Sequence, residues 1–241
     1  MTTRMDPVEA ARIFVDCHFP EAAAAFVGGS VIQGEATSTS DLDIVVVTDR
    51  PEAPYRESFR ALGWPIETFV HTPASMWHYV EQDARNLRPC LLMMCAEGML
   101  LRDRDGVGLR IKEEARALLA AGPAPLTPEA MALRRYSLTN LLDDFVGTER
   151  PAEGIFIADE LAVGAASLLL LLNRHWVGSG KWVYRALTRF DPDIADRLVA
   201  GLRAYYRSNE KAQLITVIGE VLDQAGGPLF EGYRASGTRL E

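Results

Sequence analysis

The first half of the chain switches between short apolar runs and longer amphipathic stretches. The strongest run is Leu42–Val47, rich in β-branched residues and bounded by polar ones, which predicts a strand. Residues 23–27 form a smaller apolar strand ended by Gly28-Gly29. Residues 65–71 (PIETFVH) alternate and predict a third strand, and residues 98–102 (GMLLR) a fourth before the turn residues Asp103 to Gly106. Helices are expected over residues 7–17, with Pro7 in the first turn, and over 55–62, stopped by Gly63. Further helices are expected over 75–86, 89–96 and 107–120.

Residues 121–127 read AGPAPLT, and two prolines with a glycine mark the best boundary in the chain. Beyond it the pattern is helical throughout. Thr127-Pro128 is an N-cap followed by a first-turn proline and opens a helix to about residue 146. Helices follow over 152–176, 181–189, from Asp191-Pro192 to about 207, and over 209–224, ended by Gly226-Gly227. An α/β domain, residues 1–121, therefore precedes an all-α helical domain, residues 122–241.

Composition narrows the classes. A chain of 241 residues that is 48% hydrophobic and 24% charged can bury a real core. With 25 Lys+Arg against 33 Asp+Glu, the net charge of −8 disfavours a nucleic-acid partner held by its phosphates. Cys17, Cys90 and Cys95 have no metal-ligand spacing and suit a reduced, cytoplasmic protein. The N-terminus lacks a signal-peptide core. The longest apolar stretch, residues 161–172, is short for a bilayer and predicts a buried helix with no membrane partner.

The chemistry concentrates in one constellation: Val27-Gly28-Gly29-Ser30, a ten-residue spacer, Asp41-Leu42-Asp43, then Glu67 on the next predicted strand. Side chains alternate along a strand, so Asp41 and Asp43 share a face. Two carboxylates that close repel unless a cation neutralises them. Hard oxygen ligands on a rigid strand suit Mg²⁺, and Glu67 as a third carboxylate makes a pair of ions feasible. The Gly28-Gly29-Ser30 turn offers free amides and a hydroxyl to phosphate oxygens, and a short helix starting near Val31 would aim its positive end at the same place.

These residues resemble the nucleotidyltransferase superfamily that includes DNA polymerase β. Its signature is an apolar residue, Gly-Gly or Gly-Ser, a spacer of nine to thirteen residues, Asp-apolar-Asp, and a later carboxylate between apolar residues. Gly29-Ser30, Asp41-Leu42-Asp43 and Glu67 match it, over about residues 23–72. The resemblance implies an α+β fold, a small mixed-sheet catalytic domain followed by a helical bundle, with the active site between them. It also implies two Mg²⁺ ions on Asp41, Asp43 and Glu67 and a nucleoside triphosphate donor, ATP or another, whose phosphates meet Gly28, Gly29 and Ser30. The order of domains looks most like bacterial enzymes that adenylylate aminoglycosides or lincosamides, which implies a small-molecule acceptor. In such relatives a glutamate of the helical domain acts as base, a role that falls here on Glu160, with Asp143, Asp144 and Asp159 as alternatives. A lysine over the triphosphate falls on Lys181. The chain departs from the pattern at Gln33, where many small members have Arg, at Thr68, and in having Glu at position 67 where some branches have Asp.

Other readings of the same residues stand beside this one. The acceptor could instead be a protein or tRNA, as in toxin–antitoxin systems on this fold, or the protein could bind nucleotide without catalysis. Trp176, Trp182, Tyr184, Tyr205 and Tyr206 read as core aromatics, and His18, His71, His78 and His175 as structural, since none has ligand spacing. Arg134-Arg135, Arg185 and Arg189 read as solvated helix faces. The sequence does not specify an oligomeric state.

Overall fold

The computed structural model describes residues 4–236 and divides the chain into two compact units, Met1–Gly122 and Pro123–Glu241. The first unit is built on a five-stranded sheet in the order β3-β4-β2-β1-β5. Its strands are β1 (Ala24–Gly28), β2 (Leu42–Val47), β3 (Tyr55–Ala61), β4 (Trp64–His71) and β5 (Met99–Asp103). The sheet is mixed. β2 and β4 run parallel, while β1 pairs antiparallel with β2 and β5, and β3 pairs antiparallel with β4.

Alternation of side chains gives the sheet two different faces. Leu42, Ile44 and Val46 of β2, Ile66 and Val70 of β4, and Ala25 and Val27 of β1 point one way. They bury Ala10, Ala11, Phe14 and Val15 of helix α1 (Pro7–His18). Asp6 caps α1, its carboxylate accepting from the Val8 and Glu9 amides, and Pro7 opens the first turn. The opposite face carries Asp43 and Glu67 and is covered by helices α2 (Pro73–Arg85), α3 (Cys90–Glu97) and α4 (Val107–Ala121). A Thr72–Ser75 capping box starts α2.

Two sequence expectations fail in this unit. Residues 55–62 form strand β3, not a helix. Tyr55, Phe59 and Leu62 fall at i, i+4 and i+7, a helical stripe, so periodicity alone misleads. Pairing with β4 decides the outcome. Leu62 (φ 54°) and Gly63 (φ 82°) form a two-residue turn with both central residues left-handed, directly joining the Ala61–Trp64 pair. Such turns match the twist of a hairpin, so Gly63 is the hinge of a hairpin rather than a helix stop. β3 is an edge strand with exposed Arg56, Glu57 and Arg60, polar enough to resist pairing with another chain. The second failure lies just after β1. Residues 31–34 are turns, closed by Glu35 N–H to the Ser30 carbonyl at 2.9 Å, and no helix begins near Val31.

The second unit is helical: α5 (Pro128–Gly147), α6 (Pro151–Leu172), α7 (Lys181–Phe190), α8 (Pro192–Ser208) and α9 (Ala212–Gln224). α6 packs against the other four. It runs longer toward its N-terminus than the apolar stretch suggests and stops at Leu172, short of Trp176, where Asn173 returns its side-chain amide to the Leu169 carbonyl at 2.9 Å. Its 22 residues and mean hydropathy of 2.1 would suffice to cross a membrane by length and composition, and 44% of that window is buried inside the structure. Gly154 faces Tyr205, and a Cβ at that position would overlap the Tyr205 hydroxyl. α8 ends where Asn209 adopts a left-handed conformation, so α9 starts at Ala212 rather than at 209.

Candidate functional site: a carboxylate cluster beside a glycine turn

The site lies on the sheet face opposite α1. Asp43 sits on β2 beside Glu67 on β4 in the parallel register, and Asp41 immediately precedes β2. One carboxylate oxygen from each of Asp41, Asp43 and Glu67 lies within 4.8 Å of the others, and all three residues are half-buried. Central strands hold the set because their backbones are fixed by neighbours on both sides, leaving only side-chain rotamers to move.

β1 brings the glycine turn to the same place. Gly28 pairs with Asp43 across the β1–β2 ladder. A Cβ at Gly28 would press on Met94 of α3 at 2.9 Å from its Cγ, so glycine lets α3 close over the strand end. Gly29 has φ +79°, and a Cβ there would overlap the Asp43 carboxylate. Glycine at 29 is thus required twice, by its backbone angle and by the approach of Asp43.

Ser30 is 7% exposed, and its hydroxyl lies 3.2 Å from that of Ser40. Ser40 in turn accepts the Thr37 amide at 2.8 Å, so this hydroxyl chain ties the loop before Asp41 to the glycine turn. Gln33 donates to Glu97 at the end of α3 at 2.7 Å, fastening the turn from its other side. Thr68 is fully buried and donates its hydroxyl to the Glu57 carbonyl at 3.1 Å. With that group satisfied, Thr68 packs as an apolar residue would beside Glu67.

Sequence reasoning missed Arg56. It donates to the Glu67 carboxylate and lies 4.8 Å from the centre of the Phe69 ring. Arg56 was hidden by the helical reading of residues 55–62. In the hairpin it stands opposite Phe69, two pairs along from Glu67. Beyond Glu67 the same face carries Phe69 and His71. Burial lowers the pKa of His71. Burial raises that of Asp83, partly offset by the Leu91 and Cys90 amides it accepts. Burial also pushes the Cys90 thiol up, and the charges of Asp83 and then Asp43 push it the same way.

The remaining residues singled out in the sequence lie in the second unit. Glu160 is exposed on α6, and Lys181 opens α7 with its ammonium 5.8 Å from the Trp182 ring. Asp143 and Asp144 line a cavity of about 470 Å³ with Glu149 and Arg150. Tyr205 is core, as its class predicts, while Tyr184 and Tyr206 are exposed. Trp182 lies under Arg185, 4.7 Å from its ring centre.

The donor set fits a divalent cation: three hard oxygen ligands, close together, on strands that hold them fixed. Residues 12–84, which include the glycine turn and all three carboxylates, match the family described as nucleotidyltransferase domain. The matched segment lies within the first unit, which therefore carries a nucleotidyltransferase domain. A nucleotidyltransferase-like protein from Exiguobacterium sibiricum is similar in structure, with a TM-score of 0.46 and 14% identity over 90% of this chain and 73% of that one. A likeness that distant says nothing about activity. Comparison with curated proteins gives no significant match.

Proposed function

We propose that the protein transfers a nucleotidyl group, AMP from ATP, to a hydroxyl of a small cationic acceptor such as an aminoglycoside. The observation that carries this reading is the Asp41–Asp43–Glu67 cluster beside the Gly28-Gly29 turn, within a nucleotidyltransferase domain. The acidic balance of the chain favours a cationic acceptor over a nucleic acid.

In the proposed reaction the acceptor oxygen attacks the α-phosphorus. Its new P–O bond replaces the bond to pyrophosphate, which leaves. Mg²⁺ held by the three carboxylates would neutralise phosphate charge and lower the pKa of the acceptor hydroxyl. Asp41 and Asp43 would hold both ions of a pair. Glu67 adds its carboxylate on the acceptor side and takes up the hydroxyl proton. Amides of the glycine turn meet the phosphate oxygens. In this proposal Glu160 assists deprotonation and Lys181 contacts the triphosphate, roles carried by the resemblance alone. Because the chain's work is positional and electrostatic, small displacements of the carboxylates are costly.

The test uses the full chain with α-³²P-labelled ATP and Mg²⁺, first with an aminoglycoside panel and then with cell extract. A labelled small molecule, with pyrophosphate release lost in Asp41→Ala, supports the proposal. Label on a macromolecule instead would move the acceptor to a protein or RNA. Wild-type turnover by Asp41→Ala would refute the metal assignment.

A further inference from the structure

A cavity of about 340 Å³ opens beside the carboxylate cluster, and every residue that lines it belongs to the first unit. Arg56 is the link, because it lines the cavity and also donates to Glu67. Successive same-face residues of a strand stand about 6.6 Å apart. Phe69 and His71 therefore carry the wall one and two steps along β4 from Glu67. The opposite wall comes from α2 and α3, through Tyr79, Asp83, Leu91 and Met94.

Three features of this cavity call for a ligand. Its walls are largely apolar and aromatic, with Phe69, Tyr79, Leu91 and Met94, which suits the face of a ring. His71 is 7% exposed, and its buried Nδ1 has no hydrogen-bond partner among the described residues. An orphaned buried polar atom costs stability unless a ligand or water meets it. Asp83 accepts the Leu91 amide at 2.8 Å and is paired with no cation among the described residues. It stands in contrast to Arg56, whose charge is already spent on Glu67. The cavity thus has one carboxylate held by amides but by no cation among the described residues, one unmet imidazole nitrogen, apolar and aromatic walls, and Arg56 as the link to Glu67.

We propose that this cavity is the acceptor pocket, holding one hydroxyl-bearing ring with a single amino group, the amine on Asp83 and the hydroxyl directed toward Glu67. The proposal rests on the nucleotidyl-transfer reading above. The ring packs against Phe69 and Tyr79, and His71 Nδ1 bonds a second polar substituent. The volume admits one ring, so a polycyclic acceptor would place only its reacting ring here.

The shared chemistry, a hydroxylated ring with one amine, can be saturated or aromatic. Glucosamine and tyramine serve as the two probes, with glucose and tyrosol as their amine-free counterparts. Cys90 lines the cavity and Cys17 is an exposed cysteine on α1, so iodoacetamide labelling read by mass spectrometry offers a local signal with an internal control. Expected is slower alkylation of Cys90 relative to Cys17 with at least one of the amine probes, without nucleotide. Asp83→Asn keeps an oxygen for the Leu91 amide and should weaken that probe about tenfold or more, the loss typical of a charge-assisted bond. Tyr79→Ala, at a half-exposed position, should weaken it too while leaving the fold intact. Protection by glucosamine assigns a saturated ring, and protection by tyramine an aromatic one.

The pocket assignment is overturned if neither amine protects Cys90 while Mg·ATP still binds. It is also overturned if glucose or tyrosol protects equally well, or if Asp83→Asn and Tyr79→Ala both leave probe affinity unchanged. A protein that binds a probe but never binds Mg·ATP overturns the nucleotidyl-transfer reading and the acceptor role with it.

Discussion

Replacing Asp41 by Asn should stabilise the metal-free protein and remove its response to Mg²⁺. The three carboxylates approach within 4.8 Å of one another. At that distance, two unit charges repel by about 0.9 kcal/mol in water and about 3.5 kcal/mol at an effective dielectric of 20. Glu67 is already offset by Arg56, so the relief from neutralising Asp41 comes mainly from its pair with Asp43. The cluster is half-buried, which places the expected gain between these limits, at about 1–3 kcal/mol. Asn retains one oxygen acceptor and nearly the same shape. Adding Mg²⁺ reverses the order of the two proteins. At about 1,000 times its dissociation constant it contributes about 4.1 kcal/mol to a protein that binds it, more than the gain above, and little to the variant. The assay is hydrogen exchange of the β2 and β4 amides with EDTA and with Mg²⁺, which reports the first unit separately from the helical one. Slower exchange for the variant in EDTA and faster in Mg²⁺ is the expected crossing. If the variant exchanged faster than wild type in EDTA and kept the full Mg²⁺ response, Asp41 would be neither strained by its neighbours nor a ligand.

Further predictions follow from the same geometry. Arg56→Ala should cost no more than about 1 kcal/mol without metal, since the pair is largely exposed, and should tighten Mg²⁺ binding in calorimetry by freeing Glu67. Gly154→Ala should lower the stability of the helical unit to urea by about 1–3 kcal/mol, because its methyl overlaps the Tyr205 hydroxyl, and Tyr205→Phe should recover part of the loss. Cys95 is buried in α3 with its thiol pushed up to about 12 by burial. Its folded pKa lies above the unfolded value of about 8.5, so its contribution is intact below that pH and is lost as pH rises toward 12. Across that window stability should fall by about 1.4 kcal/mol per pH unit from this group, a slope that Cys95→Ala should remove in alkaline denaturation curves.

Particular residues show why some parts of this fold are readable and others are not. β2 is a dense β-branched run flanked by polar residues, and no competing period fits it. The first turn of α1 and the opening of α5 were visible as Pro7 and Thr127-Pro128, because a helix start is set by a proline or a capping side chain within two or three residues of it. β3 was misread because its apolar residues satisfy a helical stripe as well as a strand face, and only the β4 partner distinguishes them. The supposed helix near Val31 failed for a related reason. A glycine turn followed by Ser30 looks like a helix start, but the segment instead bonds back on itself and to Ser40. The end of α6 was overextended because Trp176 and Val177 resume an apolar pattern beyond the point where Asn173 takes the last carbonyls.

By itself, the chain's sequence determined the two-part layout, the strand that carries Asp41 and Asp43 to one face, and the family to which the glycine turn belongs. Each depends on period, spacing or caps within a few residues. What only the tertiary structure decided is what stands beside them. The parallel β2–β4 register puts Glu67 level with Asp43, the β3 hairpin brings Arg56 to Glu67, and α2 and α3 enclose the cavity that starts at Arg56. These juxtapositions join residues from separate elements, and their stability comes from burying both sheet faces at once, a condition no short stretch of sequence can express.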